Sequence, residues 1–140
     1  MTVRRLIIGS GVAIGVMATA LGAGSASAAD FRLDPAKGFA GVYLDHADTA
    51  MLANTPVPDW LNRIATPDNS FFNLSDDSRL PLVQEPDGSF WSPATAADVW
   101  REAARQPNGR LSVFWLDPAR YDGYSFEVRQ EVPRPASRGR

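Results

Sequence analysis

The chain has 140 residues, no cysteine, a single histidine and a formal net charge of −2, with 44% hydrophobic and 21% charged residues. That length fits one domain, and that balance excludes wholesale disorder and gives no basic footprint for nucleic acid. Without cysteine there are no disulfides, thiolate metal sites, cysteine nucleophiles or lipid-modified cysteine anchors.

The first 28 residues have the layout of a secretory signal peptide. Arg4 and Arg5 form a short positive region, an apolar stretch follows from Leu6 to Leu21, and the small residues Ala26-Ser27-Ala28 end it. The arginines stay on the inner side, the apolar run enters the membrane and the small side chains fit the peptidase, so cleavage is expected after Ala28. The competing reading is an uncleaved anchor, but five glycines between Gly9 and Gly24 dilute the apolar run. Val3 stands where a twin-arginine signal usually has Ser or Thr, so the general secretion route is favoured. The expected product has no transmembrane anchor and is more acidic than the full chain, having lost Arg4 and Arg5.

Asp30 to Gly38 reads as a loose lead-in, and Phe39 to Leu44 as a short apolar strand. His46 to Asn54 is expected to be a helix, capped by Asp45 and with Asp48 in its first turn. Pro56 and Pro58 interrupt, Asp59 to Ile64 supplies another turn or two of helix, and Thr66 to Asp77 is loop in which Ser70 to Leu74 can pair as a strand. Leu80 to Gln84 and Ser89 to Trp91 flank Asp87-Gly88, a hairpin signal. Ser92 and Pro93 then open the main amphipathic helix, about 93–106. Val99, Trp100 and Ala103 lie on its apolar side, and Asn108-Gly109 suits the positive φ of a helix end. Leu111 to Leu116 is a nearly continuous apolar strand, and Tyr124 to Val132 alternates as a strand with one side buried. The seven residues between Leu116 and Tyr124 suit a hairpin and are too few for a parallel crossover. The expected fold class is therefore α+β. One small domain over 29–132 has an antiparallel sheet with the helix near 93–106 packed on it, and a disordered tail follows over 133–140.

Motifs that carry chemistry are scarce. His46 lies between Asp45 and Asp48, and a carboxylate beside an imidazole can orient it as a general base. No Gly-x-Ser-x-Gly elbow accompanies them, and an aspartate-flanked histidine at a helix start is more often a surface residue. Asp76-Asp77, with Asp68 nearby, lacks the ligand spacing of a calcium loop and reads as a solvated turn. No metal pattern and no cofactor-binding motif is present. Four tryptophans remain: Trp100 and Trp115 fall on apolar faces and are expected in the core, leaving Trp60 and Trp91 as candidate surface platforms for a ligand.

Thirteen of the 14 basic residues are arginine, only Lys37 is lysine, and alanine is abundant, a bias that GC-rich codons produce. Together with the signal peptide and the segment from Tyr43-Leu44-Asp45-His46 to Leu52, it resembles small exported actinobacterial proteins of unknown function. The resemblance implies export and brings no activity and no functional residue with it. The expectation is a secreted or envelope-associated, non-enzymatic binding protein whose partner is an envelope protein or polysaccharide. The alternative is a small hydrolase acting on cell-wall glycan or ester through carboxylates or His46.

Overall fold

The apolar run from Leu111 to Leu116 becomes the central strand of the sheet, where a strand has neighbours on both sides and apolar residues on both faces. The computed structural model describes residues 29–133; the expected signal peptide and the tail beyond Pro133 lie outside the described residues. In chain order the elements are β1 (Asp30–Asp34), β2 (Phe39–Leu44), α1 (His46–Ala53), α2 (Val57–Ile64), β3 (Ser70–Asn73), β4 (Val83–Gln84), β5 (Phe90–Trp91), α3 (Ala96–Arg105), β6 (Arg110–Leu116) and β7 (Phe126–Glu131). The five-stranded sheet has the order β1-β2-β6-β7-β3, and β4 and β5 form a separate hairpin. Helices and strands together make an α+β fold.

The helices cover one face of the sheet. Ala40, Val42 and Leu44 of β2, Leu111, Val113 and Trp115 of β6, and Val128 of β7 join Leu52, Leu61, Val99, Trp100 and Ala103 in one buried core. Alternation along each strand sends the next residues to the opposite face. There Phe114 packs edge-on against Phe39 and Tyr43, at centroid distances of 5.8 and 5.2 Å, and the Arg129 guanidinium lies 4.9 Å from its ring centre. A Cβ at residue 41 would stand 2.9 Å from the Phe114 ring, so Gly41 makes room for it.

Three expectations are corrected. The lead-in is a strand, because Asp30 to Asp34 alternates strictly and pairs with β2 in the register Phe31↔Val42. The sheet is not wholly antiparallel, because β3 runs parallel to β7. The Asn69 carbonyl accepts from the Ser125 and Phe126 N–H groups, which starts the two strands side by side in the same direction. Finally, α3 begins at Ala96 rather than near Pro93. Thr95 and Asp98 form a reciprocal capping box there, while the Ser92 hydroxyl donates to the Pro81 carbonyl and accepts from the Ala94 N–H ahead of the helix. At the far end of α3, Asn108 alone takes positive φ (59°). Gly109 is needed for a different reason: a Cβ there would fall 2.0 Å from the Ala103 carbonyl oxygen.

Trp100 is fully buried, and its indole N–H donates to the Thr49 carbonyl at 3.0 Å. The Thr49 hydroxyl donates to the Asp45 carbonyl and accepts from the Leu111 N–H, so one residue of α1 ties α3 to the start of β6. Replacing Trp100 with alanine is expected to cost about 3–5 kcal/mol, from lost burial, the cavity and the lost indole hydrogen bond to Thr49. Urea unfolding of wild type and variant measures this, and an unchanged midpoint contradicts the placement.

Candidate functional site: a groove beneath the hairpin

A depression lies where the β4–β5 hairpin stands away from the body. It encloses about 810 Å³, within the size range of small-molecule pockets. One wall is the hairpin, with Leu82, Phe90 and Trp91; the other is the end of α2 and the start of β3, with Ala65, Phe71 and Phe72, and Tyr124. The start of α3 closes one end, and Ser75, Asp76 and Ser78 supply a polar rim.

The hairpin forms because Asp87-Gly88 turns the chain, with Gly88 at φ +86° and the Asp87 carboxylate accepting from Ser89. Those Ser89 hydrogen bonds hold the Asp87 carboxyl below its ordinary value. Two-residue strands cannot bury both faces, and every residue from 81 to 91 is exposed. Phe90 is 62% exposed, Leu82 56% and Trp91 48%. These large apolar side chains form an exposed patch beside the groove.

The opposite wall is held by polar ties. Asn62 of α2 accepts from the Ala97 N–H, locking α2 to the start of α3. Glu102 accepts from the Ser78 hydroxyl, the Arg79 N–H and the Gln130 amide, at 2.6, 2.9 and 2.9 Å. Gln130 in turn accepts from the N–H and hydroxyl of Ser75. This network pins the loop carrying Ser75 and Ser78 to α3 and β7. Burial pushes the Glu102 carboxyl up, but the hydrogen bonds from Ser78, Gln130 and Arg79, with the nearby Arg105 charge, outweigh it, and the net direction is down. A stabilised anion is the reverse of what a general acid needs.

The candidate catalytic residues do not reach the groove. Asp45 caps α1 by accepting from the Asp48 N–H. His46 donates from Nδ1 to the Gly109 carbonyl at 2.8 Å, the proton being placed by the fact that a carbonyl only accepts. Asp48 is buried, and its Oδ2 has no hydrogen-bond partner among the described residues. Gly109 lies just past the C-terminal end of α3, whereas the groove surrounds its N-terminal end. A ten-residue helix separates them by about 15 Å. Asp76 and Asp77 are exposed, and only Asp76 reaches the groove. No group of three His, Asp or Glu residues is placed to hold a metal among the described residues.

The two candidate tryptophans also part company. Trp60 is half-buried against the core, and Trp91 lines the groove. Phe90, Leu82, Phe71 and Tyr124 were not singled out from sequence. The adjacency of Phe90 and Trp91 was the available signal, since neighbouring residues on a strand point to opposite faces and an isolated hairpin cannot cover both. Comparison with protein-family models, with curated proteins and with solved structures finds no match.

Because its folded pKa is depressed, Glu102 contributes stability that is present above its unfolded value, near 4.5, and lost as pH falls through the lower folded value. Replacing Glu102 with alanine is expected to cost about 1.5–3 kcal/mol at neutral pH. The gap between wild type and variant should narrow below that window. Thermal melts across pH 3 to 7, at intervals of about one unit, test this; a gap that is constant or widens in acid contradicts the role.

Proposed function

We propose that the protein is an exported, non-enzymatic binding protein of the cell envelope or extracellular space, which holds its ligand in the groove beneath the hairpin. One observation carries the reading: Leu82, Phe90 and Trp91 stand exposed on a single hairpin and all three line the groove. An aromatic pair with an aliphatic neighbour supplies contact area at low entropic cost, and the polar rim at Ser75 and Ser78 orients what it covers. Such a surface takes the face of a sugar ring or an apolar side chain, which suits an envelope polysaccharide or an envelope protein. The separation of His46, Asp45 and Asp48 from the groove weighs against hydrolysis there.

The binding test is retention of the protein on purified cell-wall fractions and envelope extract, with turnover of those fractions followed in parallel. Saturable retention without turnover is expected. Trp91→Ala and Phe90→Ala should each weaken it by about tenfold while leaving the unfolding midpoint nearly unchanged, since neither side chain is in the core. Turnover that disappears with His46→Ala or with replacement of Asp76 and Asp77 overturns the reading.

Export rests on the layout of residues 1–28. The protein recovered from culture medium or envelope is expected to begin at Ala29 by N-terminal sequencing. Recovery of only the full-length chain, in membranes, favours an anchor instead.

A further inference from the structure

The sheet ends in β1, and among the described residues nothing pairs with its outer side. An open edge is a template for another strand, and proteins blunt such edges with proline, a bulge, short length or charged side chains. β1 reads Asp-Phe-Arg-Leu-Asp, with no proline and no bulge, and its charges are of both signs, so they repel a second copy only in some registers. Its registers with β2 place Phe31 beside Val42 and Leu33 beside Ala40, on the face that the helices cover elsewhere. Yet Phe31 is 41% and Leu33 70% exposed. Asp30, Arg32 and Asp34 line the other face.

We propose that a second copy of this chain pairs with β1, antiparallel about a two-fold axis at Phe31, so that the two sheets become one. The charge pattern selects that register. Opposed residues in an antiparallel pair share a face, so three arrangements keep the apolar residues together. An axis at Arg32 sets Arg32 against its own copy and Asp30 against Asp34, and like charges directly opposite are unfavourable. An axis at Leu33 sets Phe31 against Pro35, which lies in the turn and has no N–H to offer. An axis at Phe31 sets each Asp30 against the other copy's Arg32, and Phe31 against Phe31. Leu33 then flanks the Phe31 pair diagonally, and the four apolar side chains cover one another.

Arg32 is already ordered within its own chain. Its Nε donates to Asp30 at 2.9 Å, and its guanidinium lies 4.8 Å from the centre of the Tyr43 ring. Pairing therefore adds a second carboxylate to a side chain whose freedom is already reduced. The other end of the sheet offers no such match: β3 is four residues, Ser-Phe-Phe-Asn, with no charge. The proposal is independent of the groove, which involves no residue of β1.

The test is sedimentation of the exported chain, as recovered from culture medium or envelope, over a dilution series, with circular dichroism as the check on folding. Wild type is expected to dimerise in a concentration-dependent way. D30R and R32D each turn two attractive oppositions into like-charge ones and should raise the dissociation constant by about tenfold or more. The double variant D30R/R32D exchanges the charges and should return it to near the wild-type value with no change in fold. A wild-type chain that stays monomeric at the highest attainable concentration overturns the proposal. So does D30R tightening the dimer, which marks the axis at Arg32, or a double variant no better than R32D alone, which marks the axis at Leu33.

Discussion

The contact between Trp100 and Thr49 fixes how the helical layer meets the sheet. The Trp100 indole is fully buried, and its one polar atom is satisfied by a carbonyl of a different helix. Thr49 offers that carbonyl while its hydroxyl bridges Asp45 and the first core residue of β6. Burial and hydrogen bonding therefore demand the same arrangement. With α1, α3 and β6 fixed to one another, α2 is held by Asn62 at the start of α3. Most of the core then follows from filling the space between.

The other side of the sheet is solved without a second layer of helices. Phe114 is buried there by Phe39, Tyr43 and the stem and head of Arg129, and Arg129 is held by Glu127 at 2.8 Å. Long charged side chains lie flat over aromatic rings and shield them, so a face that carries arginines and carboxylates still buries apolar surface. Gly41 is the concession that lets the ring lie down. The economy has a cost at the margin, since β1 lies beyond the helices and its apolar residues are left uncovered.

The groove arises where the two kinds of packing stop. The hairpin is too short to have its own core, and the body beside it is tied by hydrogen bonds of Glu102 and Gln130 rather than by apolar contact with the hairpin. A polar network holds a loop in place without covering its neighbours, so a firm wall faces an exposed arm across open space. That combination suits ligand recognition: the wall costs little to order, and the arm supplies the apolar area.

Much of the fold was legible because local patterns carried it. The 3.6-residue pattern around Trp100, the apolar run from Leu111, the Asp-Gly turn and the short link between β6 and β7 each impose local geometry, and all four features stand in the structure. β1 was legible too, in strict alternation over Asp30 to Asp34, though loop-like flanks hid it. What sequence could not supply was long-range: the parallel pairing of β3 depends on Asn69 meeting residues 125 and 126. For the site, residue chemistry singled out His46 with its aspartates, and tertiary structure assigned them to capping and to the Gly109 carbonyl. Trp60 and Trp91 looked alike as isolated tryptophans, and only packing separated them, one against the core and one beside the groove. Exposure is a property of what surrounds a side chain, and those surroundings come from residues far away in the chain.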